Sequence, residues 1–197
     1  MSLVELIGQA DERGLAVGGL ACLDRCVPLL GDDDEILRPL WAALGDEAAA
    51  GEWGERLEQV RRKLGGGAEF GTEGSDGSDG SGEDEAVSLA RRMLAAAPTE
   101  RSAAEVRVWA DACSVAALRI HRLLDPLKDA ADSVEDRREG RTEGMSPLVA
   151  AELRRQITVL ELLAGHGPAG LRPALAVSTE GRRVLRAVVS RRSRRRR

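Results

Sequence analysis

Three cysteines and one histidine are the residues whose types and spacing come nearest to a metal or redox site. Cys22 and Cys26 are four residues apart on a predicted helix and therefore share a face. Cys113 and His121, eight residues apart, lie roughly on one side of another predicted helix. If the four converged, they would form a tetrahedral Cys3His zinc site. The spacing is not the usual C-x-x-C, so we predict buried, inert thiols and no cofactor.

General acid–base chemistry has few candidates in this sequence. His121 and His166 are the two histidines, and Asp125 follows His121 by four residues and could pair with it on a helix surface. Such pairs are usually solvated rather than catalytic. The sequence contains no G-x-S-x-G, phosphate-binding loop or H-E-x-x-H motif, and no G-x-G-x-x-G after a strand. An enzyme is therefore disfavoured, and no catalytic residue is assigned.

An acidic run, Asp32 to Glu35, precedes an apolar segment. Carboxylates of this kind could chelate a hard cation. They are also typical of a helix start, where they lie near the positive end of the helix dipole. We favour the helix start over a cation site.

The basic C-terminus carries the strongest functional indication in the chain. Nine arginines fall within its last sixteen residues: Arg182, Arg183, Arg186, Arg191, Arg192, Arg194, Arg195, Arg196 and Arg197. Such a segment would bind phosphate backbones without sequence preference and with a steep salt dependence. No aromatic side chain is present there to stack on bases.

Three other interpretations of this basic segment remain open. Val184, Leu185, Val188 and Val189 add an apolar side that could lie on an anionic membrane. The arginines could instead pair with the acidic half of the chain or with an acidic protein surface. The segment could also be a solubilising tail with no partner.

Charge and composition predict the elements that position these residues. Residues 1–85 carry 7 Lys/Arg against 20 Asp/Glu, whereas residues 86–197 carry 22 against 13. The halves therefore differ in sign, at -13 and +9, which indicates pairing between them or an external polyanion. Aromatic residues are limited to three Trp and one Phe, so the core must come from Leu, Val, Ile and Ala. These residues favour close helix packing, and we predict an all-α fold.

Helix signals divide the chain into two predicted helical modules. The first covers residues 1–64, a flexible Gly/Ser/Asp linker covers 65–82, the second module covers 83–189, and a disordered basic tail covers 190–197. Gly14 is predicted to end the first helix. The longest helix is predicted from Ala103 to Leu124, with a possible extension to Arg138. Residues 175–189 fit a helix better than a hairpin, and whether the modules pack together stays open.

One stretch resembles the helix-turn-helix part of winged-helix regulators. Gln156 to Pro168 reads QITVLELLAGHGP, and Leu171 to Val189 reads LRPALAVSTEGRRVLRAVV. The resemblance implies a second helix, a turn at Val177-Ser178 and a DNA-reading helix. Pro173 and Arg182 depart from the family's pattern and no wing strand follows, so the chain is not assigned to the family.

The sequence therefore predicts a non-enzymatic helical interaction protein that contacts nucleic acid through its basic C-terminus. The competing predictions are a protein–protein adaptor without nucleic-acid binding, and a metal-thiolate protein or enzyme using Cys22, Cys26 and Cys113. No signal peptide and no apolar run of ~18 residues is found, so the predicted location is cytoplasmic. The partner and the oligomeric state are not predicted.

Overall fold

The computed structural model describes residues 1–31, 33–45, 50–65, 80–127 and 133–195, and every regular element in those ranges is helical. The α-helices are α1 Leu3–Gln9, α2 Glu12–Cys26, α3 Arg38–Gly45, α4 Trp53–Gly65, α5 Gly80–Ala95, α6 Ala103–Leu124, α7 Val134–Arg138, α8 Pro147–His166 and α9 Leu171–Arg195. The predicted all-α fold is confirmed for these residues. No helix among them is long and apolar enough to cross a membrane.

Serine caps begin several helices at the residues that the sequence indicates. The Ser2 hydroxyl accepts from the Glu5 amide, and the Glu5 carboxylate accepts from the Ser2 amide, which completes a capping box. Ser102 caps α6 by accepting from the Glu105 amide. Helix α6 has the predicted bounds, Ala103–Leu124.

Two predicted boundaries are wrong. Gly14 does not end a helix. The first helix ends earlier, at Gln9, and Gly14 lies inside α2. Asp11 is the N-cap of α2 and accepts from the Gly14 amide at 2.7 Å, so capping by a carboxylate sets the break. The extension of α6 to Arg138 is also absent, since α6 ends just before Asp125 and Pro126.

Helix α2 lies at the centre of the fold and is buried along most of its length. It packs against α6, α8 and α9, all of which follow the predicted linker in the chain. The buried side chains from both sides of the linker form one hydrophobic cluster. Polar contacts join them too: the Trp53 indole donates to the Pro98 carbonyl, and Arg107 donates to the Ile7 carbonyl. The two predicted modules therefore pack against each other.

The predicted linker, residues 65–82, is helical at both ends in the structure. Helix α4 includes Gly65, and α5 begins at Gly80, before the predicted start at residue 83. Residues 66–79, which make up most of the predicted linker, lie outside the described residues.

The C-terminal segment forms one long helix, α9, which runs from Leu171 to Arg195. Residues 175–189 are therefore helical, as favoured, and the predicted disordered tail is helical as far as Arg195. Residues 196 and 197 lie outside the described residues. Two features extend the helix: apolar side chains up to Val189 pack against the core, and cations in the last turn favour the negative end of the helix dipole.

The helix-turn-helix resemblance does not extend to the structure. Helix α9 passes through Val177 and Ser178 without a turn, so no separate recognition helix exists. Pro173 lies in the first turn of α9, where a missing backbone N–H is tolerated. The chain reverses between α8 and α9 at Gly167, whose φ of +52° favours glycine.

Candidate nucleic-acid interface

Four of the candidate arginines on α9 are exposed. They are Arg183, Arg191, Arg194 and Arg195. Because an α-helix has 3.6 residues per turn, these four side chains lie within a sector of roughly 120° of the helix circumference. They extend over about 18 Å along the helix axis. None of them takes part in an ion pair within the described part of the chain. The result is a stripe of positive charge on a helix whose backbone is already ordered, which we call the basic stripe.

Two other candidate arginines face inward and hold α9 against the acidic N-terminal half. Arg182 is buried, and its Nη1 lies 2.8 Å from Asp24 Oδ1 and also donates to the Asp34 carbonyl. Arg186 donates from Nη2 to Asp34 Oδ1 at 2.5 Å. The acidic–basic pairing that charge asymmetry suggested therefore involves these two arginines rather than the basic stripe.

The apolar side of α9 is also used internally. Leu185 is fully buried, and Val184, Val188 and Val189 pack against the hydrophobic core. Arg192 donates to the Leu124 carbonyl at 3.5 Å, which places it beside the end of α6. The apolar side of α9, which the sequence left open as a membrane contact, therefore faces the protein core in this fold.

Asp24 is an ionisable group buried at the contact between α2 and α9. Its exposed fraction is 1%, and Oδ2 has no hydrogen-bond partner among the described residues. Burial raises the pKa of Asp24 from 3.8 to about 6, although the neighbouring Arg182 and Arg25 act in the opposite direction. The folded state therefore binds this proton more tightly than the unfolded state does.

Replacing Asp24 should remove one component of the pH dependence of stability. Because its pKa is higher in the folded state, Asp24 contributes its full stabilisation below about pH 4. That contribution is lost as the pH rises through about 6. Between pH 4 and 7, the free energy of unfolding of the wild type should fall by up to about 3 kcal/mol relative to that of Asp24→Asn. Urea unfolding of both proteins across this range measures the difference. A difference that stays constant with pH would contradict the raised pKa.

Beneath α9, a buried ion pair joins α2 to α8. Arg25 donates from Nε to Glu152 Oε2 at 2.7 Å and from Nη2 to Oε1 at 2.6 Å, and both side chains are fully buried. This bidentate arrangement matches the planar guanidinium to the carboxylate. Arg25 and His121 hold the pKa of Glu152 below its ordinary value despite its burial, and Glu152 raises the pKa of Arg25. Both groups are charged in the folded protein.

Neutral polar groups complete the surroundings of Glu152. Gln156 donates to Glu152 Oε1 at 2.8 Å and accepts from the Ser114 hydroxyl at 2.7 Å. His121 Nε2 lies 3.6 Å from Glu152 Oε2, and burial lowers the pKa of His121. The neighbouring void, beside Cys22 and Arg25, has a volume of about 10 Å³, enough for roughly one water molecule. These residues form a buried polar cluster that joins α2, α6 and α8 beneath α9.

Helix α9 closes over the cluster at Gly181. A Cβ atom at this position would lie 2.4 Å from Arg25 Cδ and 2.9 Å from Arg25 Cγ. The Ser178 hydroxyl, one turn earlier, accepts from Arg25 Nη1 at 3.4 Å. The position of α9, and with it the orientation of the basic stripe, therefore depends on the Arg25 side chain and on the absence of a side chain at residue 181.

The cysteines are buried as predicted. Cys22, Cys26 and Cys113 are free thiols, and desolvation raises the pKa of Cys22 to about 12 and the pKa values of the other two well above their ordinary value. A thiolate is the form that binds metal or attacks a substrate. Within the described residues, no group of three or more Cys, His, Asp or Glu side chains could hold a metal ion. The Cys3His arrangement is therefore not assembled.

His121 and Asp125 do not form the surface pair that their spacing allows. His121 is 1% exposed, and its Nδ1 lies 2.7 Å from the Ala117 carbonyl. Asp125 accepts instead from the backbone amides of Leu127 and Leu148, both at 2.9 Å, so it fixes the turn after α6 and the start of α8. His166 is exposed at the end of α8.

Asp33 and Asp34, two of the described residues of the acidic run, do not lie at a helix start. Residue 32 lies outside the described residues, and Asp33 accepts from the Glu35 amide within a turn rather than at the start of α3. Asp34 accepts from Arg186, as described above. Part of this run therefore contacts α9.

Comparison with known proteins identifies no relative of this chain. No protein-family model matches the chain, and no curated protein and no solved structure is significantly similar to it.

Proposed function

We propose that the chain is a non-enzymatic helical protein that binds nucleic acid without sequence preference through the basic stripe on α9. The observation that supports this is the division of the arginines. Arg182 and Arg186 are neutralised by Asp24 and Asp34, whereas the four arginines of the basic stripe face solvent on the same helix. The exposed four have no carboxylate partner among the described residues and are therefore available to an external anion.

The proposed mechanism is neutralisation of backbone phosphates. Each arginine that contacts a phosphate releases condensed counterions, which favours binding at low salt. Guanidinium groups also bind phosphate oxygens with two parallel hydrogen bonds. Because the arginines lie on an ordered helix, less conformational entropy is lost on binding than for a disordered tail. Helix α9 contains no aromatic residue, which supports contact with the backbone rather than stacking on bases.

A charge-matched pair of variants tests this function. The stripe variant replaces Arg183, Arg191, Arg194 and Arg195 with Gln. The control variant replaces four exposed arginines elsewhere, Arg38, Arg62, Arg91 and Arg154, with Gln and has the same net charge. Anisotropy of a fluorescent DNA duplex should show at least about tenfold weaker binding for the stripe variant than for the control.

Both variants should fold, since all eight positions are exposed. Equal loss of affinity in the two variants would mean that net charge alone attracts the duplex. No measurable binding by the wild type at low salt would reject the proposal outright, because the phosphate contribution is largest there.

A further inference from the structure

A second surface, separate from the basic stripe, contains an open apolar groove. It lies between α5 and α6 and has a volume of about 320 Å³. Its floor is formed by side chains of the buried core, Leu89, Met93, Trp109, Cys113 and Ala116, and its more open apolar side chains are Ala96, Ala112 and Val115. The Trp109 indole donates to the Met93 carbonyl at 2.9 Å, so the two helices that form the walls are tied together. The groove is therefore preformed.

Exposed apolar side chains extend this groove along α6. Val108 is 72% exposed, and Ala112, one turn further on, is also exposed. Val108, Ala112, Val115 and Arg119 are spaced four, three and four residues apart. This spacing places them on one face of α6. That face covers about three turns, or roughly 16 Å. An apolar strip of this length suits a partner helix.

The two charged residues that line this groove are both basic, and the exposed carboxylates of Asp111 and Glu135 lie outside the lining. Arg92 of α5 and Arg119 of α6 line it, and no acidic residue does so among the described residues. Arg119 is half-exposed and lies 3.7 Å from Glu135, which is equally exposed. Such a surface pair contributes little, so a carboxylate from a partner could replace it.

We propose that the α5–α6 groove binds an amphipathic helix of a partner protein whose apolar side is flanked by Asp or Glu. The apolar side chains of that helix lie against Ala96, Ala112 and Val115, and its carboxylates pair with Arg92 and Arg119. A second copy of this chain fits less well. A symmetric dimer through this face would bury Arg92 and Arg119 of both copies in one interface whose described lining residues include no carboxylate.

The test uses two fluorescent helical peptides of about 14 residues, roughly four turns. Both carry Leu on one face, flanked by Glu in the first peptide and by Lys in the second. The protein is the full chain in the stripe variant, so that the acidic peptide cannot be captured by α9. We expect the Glu peptide to bind at least about tenfold more tightly than the Lys peptide.

Charge reversal at the groove then identifies the surface. In Arg92→Glu with Arg119→Glu, the preference should invert, with the Lys peptide binding more tightly. The matched control, Arg62→Glu with Arg154→Glu, should keep the original preference. Circular dichroism and unfolding of both double variants verify that the exposed substitutions leave the fold intact.

Three results would overturn the proposal. The first is no binding of the Glu peptide, and the second is a preference unaffected by reversal at Arg92 and Arg119. The third is a wild-type dimer, seen by sedimentation, that dissociates in Arg92→Glu with Arg119→Glu, since a second copy would then occupy the groove. None of these bears on duplex binding by the basic stripe, which is measured separately.

Discussion

Glu152→Gln should lower the free energy of unfolding by about 3–5 kcal/mol. The amide keeps the shape of the side chain but removes the negative charge, which leaves the fully buried Arg25 guanidinium without its counterion. Burial of an uncompensated charge is among the most costly changes in a protein core. Gln156 and Ser114 are neutral and cannot replace the lost charge. Urea unfolding at pH 7, followed by circular dichroism, measures the loss.

Two controls separate charge from packing in this experiment. Arg25→Met combined with Glu152→Leu removes both charges and should recover most of the stability, because apolar replacements of buried ion pairs are often neutral or stabilising. Glu35→Gln breaks an exposed pair with Arg38 and should cost less than about 1 kcal/mol. A cost below about 1 kcal/mol for Glu152→Gln would mean that Arg25 is not held as a buried cation.

Gly181→Ala is the second substitution with a large expected effect, a loss of about 3 kcal/mol. The new methyl group would overlap the Arg25 stem and also lie 3.0 Å from Arg155 Cδ. Arg25 cannot move away easily, because its guanidinium is held by Glu152 at two points. Either α9 moves outward or the ion pair is distorted. Thermal and urea unfolding measure the cost.

The matched control for this substitution is Gly165→Ala on α8. No atom lies within 4 Å of a Cβ built at Gly165, and the residue is exposed within the helix. Alanine should stabilise the protein there by about 0.5–1 kcal/mol, since it has the higher helix propensity. If Gly181→Ala were also stabilising, then the close contact between α9 and the Arg25 stem would be refuted.

The parts of the fold that the sequence predicted are those with local signals. Helix α6 has the expected bounds because Ser102 caps its start and Pro126 follows its end. The first helix ends earlier than Gly14 predicts, because Asp11 is a strong N-cap that begins α2 and Gly14 is accommodated inside that helix. Both outcomes depend on interactions within a few residues of the boundary, where a single sequence is informative.

The buried polar cluster could not be predicted, because its members are distant in the chain. Arg25 and Glu152 are 127 residues apart, and each belongs to a helix whose pattern indicates an ordinary amphipathic face. In the same way, the composition of the C-terminus shows nine arginines but not their orientation. Their separation into inward Arg182 and Arg186 and the exposed basic stripe depends on where Asp24 and Asp34 lie.

The salt dependence of duplex binding tests the central claim most directly. The affinity of the wild type and of the stripe variant for the same DNA duplex would be measured over a series of salt concentrations. If the basic stripe contacts phosphates, the slope of log affinity against log salt should become shallower by about 0.9 for each contact removed, or about two to four units in all. An unchanged slope in the stripe variant would show that these four arginines do not contact the phosphate backbone.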